Sequence, residues 1–235
     1  MNPADPNVQR VELVAAALGD LRDQLVLVGG CAASLLIDAP TAPAPRVTYD
    51  VDLIAQATAL RDYHALEKKF GQRGFTRDLS PDAPICRWQL GAVKVDLMPT
   101  DERVLGFANR WYPLAAATAC RVLLPSGTPI NLIAASAFLA TKFEAFQTRG
   151  ESDLLVSHDF EDIVNVVEGC PTIEADMTSA PEEVRAYLAA RFSDVIAAPD
   201  FENILPSLLA YDDLHEQRLQ AVRRRFRTFA STLLF

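Results

Sequence analysis

The stretch that most restricts this chain is Arg46-Val47-Thr48-Tyr49-Asp50-Val51-Asp52-Leu53-Ile54, a strand pattern that carries two carboxylates two positions apart. Side chains at i and i+2 of a strand share a face, so Asp50 and Asp52 project side by side while Tyr49, Val51 and Leu53 face the other way. The two charges repel. A magnesium ion is the usual reason for a fold to accept that repulsion, because it takes oxygen ligands and sits on one or two carboxylates together with substrate phosphates. Upstream, Leu25-Val26-Leu27-Val28-Gly29-Gly30-Cys31-Ala32-Ala33 reads as a buried strand, a glycine turn and a helix over residues 31–37. Such a turn lets main-chain N–H groups and the helix dipole face a bound anion. The plainer readings are a tight strand-to-helix turn for Gly29-Gly30 and a solvated hairpin-edge pair for Asp50 and Asp52.

The rest of the chain is read around this centre. Residues 8–21 have helical spacing through Val11, Val14, Ala15, Leu18 and Leu21. Residues 38–46, with Pro40, Pro43 and Pro45, form a stiff loop, and residues 58–71 an amphipathic helix with Leu60, Tyr63, Leu66 and Phe70 as its stripe. Residues 85–90 and 92–98 alternate around Gly91 as a tight strand pair. In the second of them Val93, Val95 and Leu97 share one face, leaving Lys94, Asp96 and Met98 on the other. Asp96 is thus a third mid-strand carboxylate, or else a surface strand residue. Residues 107–114 read as an irregular loop exposing Trp111 and Tyr112, and residues 120–124 and 129–133 as a hairpin. A strongly helical run over 134–146 places Phe138, Thr141, Lys142 and Ala145 along one side. Residues 159–167 form a further helix with Ser157 or Asp159 as N-cap. From residue 171 the pattern is helical only: 180–196, a short piece from Phe201 that Pro206 interrupts, and 211–229. Two regions are expected, a mixed α/β core over 1–135 and a helical region over 136–235.

Composition narrows the function classes. A chain of 235 residues that is half apolar buries a full core, and its net charge of −9 opposes broad binding to nucleic acid or anionic membranes. Cys31, Cys86, Cys120 and Cys170 show no Cys-x-x-Cys spacing, which favours reduced, mostly buried thiols over zinc knuckles or a disulfide scaffold. Cys31 stands at a helix start, where its thiol pKa is lowered unless it is simply a small buried residue. His64, His158 and His215 are too scattered for a zinc triad, and Ser34, Ser126 and Ser157 have no nucleophile-elbow context. The first residues lack signal-peptide order and no apolar run approaches the ~20 residues of a membrane span, so a cytoplasmic protein with no membrane partner is expected.

Three fragments in order, Gly29-Gly30-x-Ala32, Arg46-x-Thr48-x-Asp50-x-Asp52-Leu53 and Val95-Asp96-Leu97, resemble the polymerase-β-like nucleotidyltransferase superfamily. Thr141-Lys142-Phe143-Glu144-Ala145-Phe146, followed by Arg149-Gly150 and Ser157-His158-Asp159-Phe160-Glu161-Asp162-Ile163, resembles the branch containing AbiEii-type abortive-infection toxins. The likeness spans residues 25–168. One departure is Gly29-Gly30 where the superfamily usually has Gly-Ser, which removes a hydroxyl from the turn. The resemblance implies an α/β (α+β) nucleotidyltransferase core with a mixed sheet flanked by helices, followed by the helical region.

It also implies an activity. Asp50, Asp52 and Asp96 would hold Mg²⁺ against a nucleoside triphosphate, with Asp96 helping to take the proton of an attacking hydroxyl. Gly29, Gly30, Arg46, Thr48 and Lys142 would contact the nucleotide, Lys142 also stabilising departing pyrophosphate. The expected reaction moves a nucleoside monophosphate onto a hydroxyl of RNA, such as tRNA, or of protein, as the toxin of a system with a cognate antitoxin. Rival expectations are transfer to an aminoglycoside-type compound, suited by Asp200, Glu202, Asp212, Asp213 and Glu216, and a non-catalytic nucleotide- or partner-binding protein. Single residues have rival readings as well. Lys142 can be a surface residue paired with Glu144 or Glu161, Asp159 and Asp162 can serve as cap and dipole partners, and Arg46 can merely cap its strand. Arg218, Arg223, Arg224, Arg225 and Arg227 form either a solvated face or a contact for RNA phosphates, beside an apolar stripe ending in Leu233.

Overall fold

A computed structural model describes residues 1–38, 46–148 and 153–231. The chain divides into two compact units, Met1–Leu35 with Arg46–Ala134, and Leu36–Pro45 with Ala135–Phe235. The expected prolines Pro40, Pro43 and Pro45, the pair Arg149-Gly150, and Leu233 lie outside the described residues.

The first unit is built on one mixed sheet. Helix α1 (Pro6–Leu18) starts at Asp5, whose carboxylate accepts from the Asn7 N–H at 2.7 Å, with Pro6 at the first helical position. There follow β1 (Leu25–Val28), α2 (Gly29–Leu36), β2 (Asp50–Ala55), α3 (Leu60–Gln72), β3 (Thr76–Arg77), β4 (Arg87–Leu90) and β5 (Val93–Pro99). Short helices α4 (Glu102–Leu105) and α5 (Tyr112–Ala117) lead to the hairpin of β6 (Cys120–Leu123) and β7 (Pro129–Leu132). The strand order is β3-β4-β5-β2-β1-β7-β6. Strand β1 runs antiparallel to β2 and parallel to β7, while β2 runs parallel to β5. All four residues of β1 are buried, which is why it reads as an unbroken apolar run instead of an alternation.

Local differences from the expected pattern have identifiable causes. Strand β2 begins at Asp50, not at residue 46, because the polar main chain before it is satisfied by a side chain. Asn7 Nδ2 donates to the Arg46 carbonyl and Asn7 Oδ1 accepts from the Thr48 N–H, both at 2.9 Å. In α3 the buried stripe is Tyr63, Leu66 and Phe70, whereas Leu60 at the first position is exposed. The irregular loop holds over residues 107–111 but ends at Tyr112, and it does not expose Trp111. Trp111 is buried, and Tyr112-Pro113 opens α5 with proline in the first turn, where its missing N–H costs nothing. All four thiols are free, and Cys120 is exposed while the other three are buried.

The second unit is helical over α6 (Ala135–Thr148), α7 (His158–Gly169), α8 (Ile173–Ser179), α9 (Glu182–Ala197), α10 (Phe201–Ile204) and α11 (His215–Ala230). Helix α8 was not apparent in the sequence pattern, and α11 begins four residues later than its spacing suggests. Ser157 is the N-cap of α7, accepting from the Phe160 N–H at 3.2 Å. The core is aromatic, with Phe192 edge-on to Phe143 and Phe226 at 5.0 and 4.9 Å and Phe201 stacked on Phe226 at 5.4 Å. The arginines of α11 all meet carboxylates. Arg218 pairs with Glu168 and Asp212, Arg223 and Arg227 with Glu202, and Arg224 and Arg225 with Glu174. Among the described residues no helix is long and apolar enough to cross a membrane.

Candidate active site

Register brings the three carboxylates of the first unit together. In the parallel pair β2–β5, Asp52 lies opposite Asp96 and Asp50 opposite Lys94. One oxygen from each of Asp50, Asp52 and Asp96 lies within 4.8 Å of the others. Val51, Val95 and Leu97, which alternate with them, are completely buried on the other face. A set of three carboxylates offers hard oxygen donors only, the chemistry that suits magnesium or manganese and not a thiolate- or imidazole-seeking ion.

The glycine turn stands beside the trio. Val28 pairs with Asp52 across β1–β2, so Gly29 follows at the level of the carboxylate. Its φ of +68° is left-handed, and a Cβ there would overlap the Asp52 side chain. A Cβ at Gly30 would overlap the Thr48 methyl group. The absence of a serine at this turn therefore has a packing cause, since Thr48 fills the space a serine side chain would need.

Thr48, expected to contact nucleotide, is buried behind the site at 3% exposure. Its hydroxyl donates to the Asp50 carbonyl at 3.2 Å and lies 3.1 Å from Cys31 Sγ. Asn7, wholly buried, completes this support by donating to Ser34 Oγ at 2.9 Å while holding residues 46 and 48. Thr48 and Asn7 thus position the strand that carries Asp50 and Asp52. Burial pushes the Cys31 thiol up to about 12, with the Thr48 hydrogen bond opposing and Asp52 and Asp50 adding to the rise, so its helix-start position does not activate it.

Arg87 is the residue the sequence reading missed. It faces Asp96 across the antiparallel β4–β5 pair, donating from Nε to Oδ1 at 2.8 Å and from a terminal nitrogen to Oδ2 at 2.7 Å. The same terminal nitrogen reaches Asp50 Oδ2 at 2.9 Å. The hydrogen bond to Asp96 holds the guanidinium pKa above its ordinary value despite partial burial. The signal was available. Leu90 and Val93 flank a two-residue turn at Gly91-Ala92, and counting back from that pair puts residue 87 opposite 96.

Lys142 belongs to the helical unit, where it is 8% exposed. Its Nζ lies 3.0 Å from Asp159 Oδ1 and 2.6 Å from Asp162 Oδ2, bridging α6 to α7. Neither anticipated surface partner is used. Glu144 accepts from the Tyr187 hydroxyl at 3.1 Å and Glu161 faces His158 at 3.4 Å. Burial opposes the charge on Lys142, but Asp162 and Asp159 outweigh it and raise the pKa.

Several solved structures are similar to this chain. An antigenic nucleotidyltransferase-like protein from Paracoccidioides brasiliensis is 22% identical, with 86% of this chain and 93% of that chain covered at a TM-score of 0.50. The antibiotic-resistance factor ANT(2'')-Ia is 17% identical over 81% and 93% at 0.48, and JHP933 from Helicobacter pylori is 11% identical over 99% and 95%, also at 0.48. No curated protein matches the chain. The family match gives the class, a nucleotidyltransferase. More narrowly, the family described as "Nucleotidyl transferase AbiEii toxin, Type IV TA system" matches residues 12–235, and the chain belongs to that family.

Proposed function

We propose that this chain transfers a nucleoside monophosphate from a nucleoside triphosphate to a hydroxyl of an RNA or protein acceptor, as the toxin of a pair whose antitoxin restrains it. The observation that carries this reading is the convergence of Asp50, Asp52 and Asp96 within 4.8 Å beside the Gly29 turn. The three carboxylates would hold a divalent ion, which when bound neutralises triphosphate charge and keeps the α-phosphate in line for attack.

The chain's own residues supply the rest. Gly29 and Gly30 carry no side chains of their own at the start of α2, so main-chain N–H groups there would meet phosphate oxygens as charge builds on pyrophosphate. Asp96 takes the proton of the acceptor hydroxyl as that oxygen bonds to the α-phosphorus and the bond to the bridging oxygen breaks. Thr48 and Asn7 hold Asp50 and Asp52 in place from behind. Lys142, paired with Asp159 and Asp162 in the helical unit, braces α6 against α7 and is given no step in the transfer. Transfer to a polycationic aminoglycoside is less well supported by charge, since Glu202 and Asp212 are engaged by arginines.

The test is incubation with each α-labelled triphosphate, Mg²⁺, and separate pools of tRNA, protein and aminoglycoside. Label is expected in the tRNA or protein pool and absent with Asp52→Asn. Label only in the aminoglycoside pool, or unchanged labelling by the variant, would refute the proposal. A non-catalytic role predicts that Asp50→Ala leaves the biological effect of the chain intact.

A further inference from the structure

The trio is already engaged by a cation of the chain's own. Arg87 forks both oxygens of Asp96 and reaches Asp50 with the same terminal nitrogen, at 2.7 to 2.9 Å. Its side chain is only 16% exposed and that of Asp96 10%, so water screens these charges poorly. A guanidinium keeps its proton throughout the physiological range and cannot yield by becoming neutral. The antiparallel register of β4 and β5 holds it across from Asp96.

Resting on the metal reading above, we infer that Arg87 is a positioning and selectivity residue, an internal counter-ion that makes the trio accept a divalent ion together with a triphosphate in preference to the bare ion. Three carboxylates alone carry a formal charge of −3 and would draw in any free dication. With Arg87 across two of them the net is −2, and an arriving dication meets a fixed positive charge at its own ligands. A metal–triphosphate complex meets a different field. Its phosphates are attracted by the same guanidinium, so repulsion of the metal is offset by attraction of its companion. Arg87 also keeps Asp50 and Asp96 together before any ligand arrives, which removes part of the cost of assembling the site.

The experiment uses Mn²⁺ as the probe, with the full chain and electron paramagnetic resonance of the free ion, with and without a non-hydrolysable triphosphate analogue. Arg87→Gln, which keeps an amide donor but no charge, is expected to bind bare Mn²⁺ about tenfold more tightly than wild type. Arg87→Lys, which keeps the charge, is expected to stay near wild type. Asp52→Asn added to Arg87→Gln should abolish the gain, placing the extra ion at the trio. A gain below about threefold, or weaker binding, overturns the inference. If neither protein takes up Mn²⁺ even with the analogue, the metal reading itself fails, which is a separate result. A second measurement needs no variant. The Arg87 Nε–H resonance of wild type should move with Mg²⁺ plus analogue and stay in place with Mg²⁺ alone, and an equal movement with Mg²⁺ alone would equally overturn the inference.

Discussion

Gly30 and Thr48 share one small volume beneath the carboxylates, and that sharing can be measured. Gly30→Ser would force its Cβ into the Thr48 methyl group, so a loss of about 1–3 kcal/mol is expected in urea unfolding. Thr48→Ala in the same chain should recover much of it, because the second change removes the obstructing atoms, and a double-mutant cycle would read the coupling. The thiols give a second test. Cys120 is exposed and should alkylate first under native conditions, with Cys31, Cys86 and Cys170 protected, as peptide mass spectrometry would show. Burial raises both Cys31 and Cys86 from 9.0 to about 12 in the folded chain. The neutral thiols are therefore favoured by folding, and their contribution is complete below pH 9 and lost between about 9 and 12, so stability should fall over that window and fall less in a Cys31→Ala variant. At this scale the carboxylates were legible because strand alternation is a period of two, readable from four or five residues. Asn7 was not, because it acts on Thr48 from 41 positions away and no local pattern announces a contact across that distance.

Elements decide what those residues can reach. The β4–β5 hairpin is legible around Gly91, but alternation alone does not point to Arg87, which emerges only when the register is counted back from the turn. The α6–α7 pair is the opposite case. Both helices were legible from their spacing, yet the partners of Lys142 lie 17 and 20 positions along, on a neighbouring helix, and only packing brings them together. Lys142→Met should leave two carboxylates facing each other in a buried place and cost about 3–5 kcal/mol, read by thermal or urea unfolding. Replacing Asp159 and Asp162 with leucine in the same chain should restore much of that stability, since an apolar trio of similar volume carries no desolvation cost. Transfer activity separates the roles. Full activity in a stable, restored apolar variant would leave holding two helices together as the whole role of Lys142, whereas a stable but inactive variant would give its charge a further part.

For the whole molecule the governing quantity is charge. The chain carries −9 overall, and the one basic stretch in its sequence, on α11, is spent on Glu168, Glu174, Glu202 and Asp212. A protein that binds RNA through a broad basic surface releases many counterions and loses affinity steeply with salt. The described arginines of α11 form no such surface, so that helix would give an RNA acceptor few phosphate contacts. The expected slope of log affinity against log salt is correspondingly shallow, about −2 or smaller in magnitude between about 50 and about 200 mM. Arg224 and Arg227 are the most exposed of the set, at 71% and 67%, and each reaches a carboxylate only at 3.7 and 3.5 Å. They are the residues an RNA backbone would recruit if any were. Arg224→Gln with Arg227→Gln should therefore change acceptor KM by less than about twofold if the pairing is what these arginines are for, since exposed ion pairs contribute little to stability and the variant should fold. A several-fold rise in KM confined to RNA acceptors, with a steeper salt slope in wild type than in the variant, would instead assign α11 to the acceptor and make its glutamates the competitors that RNA displaces.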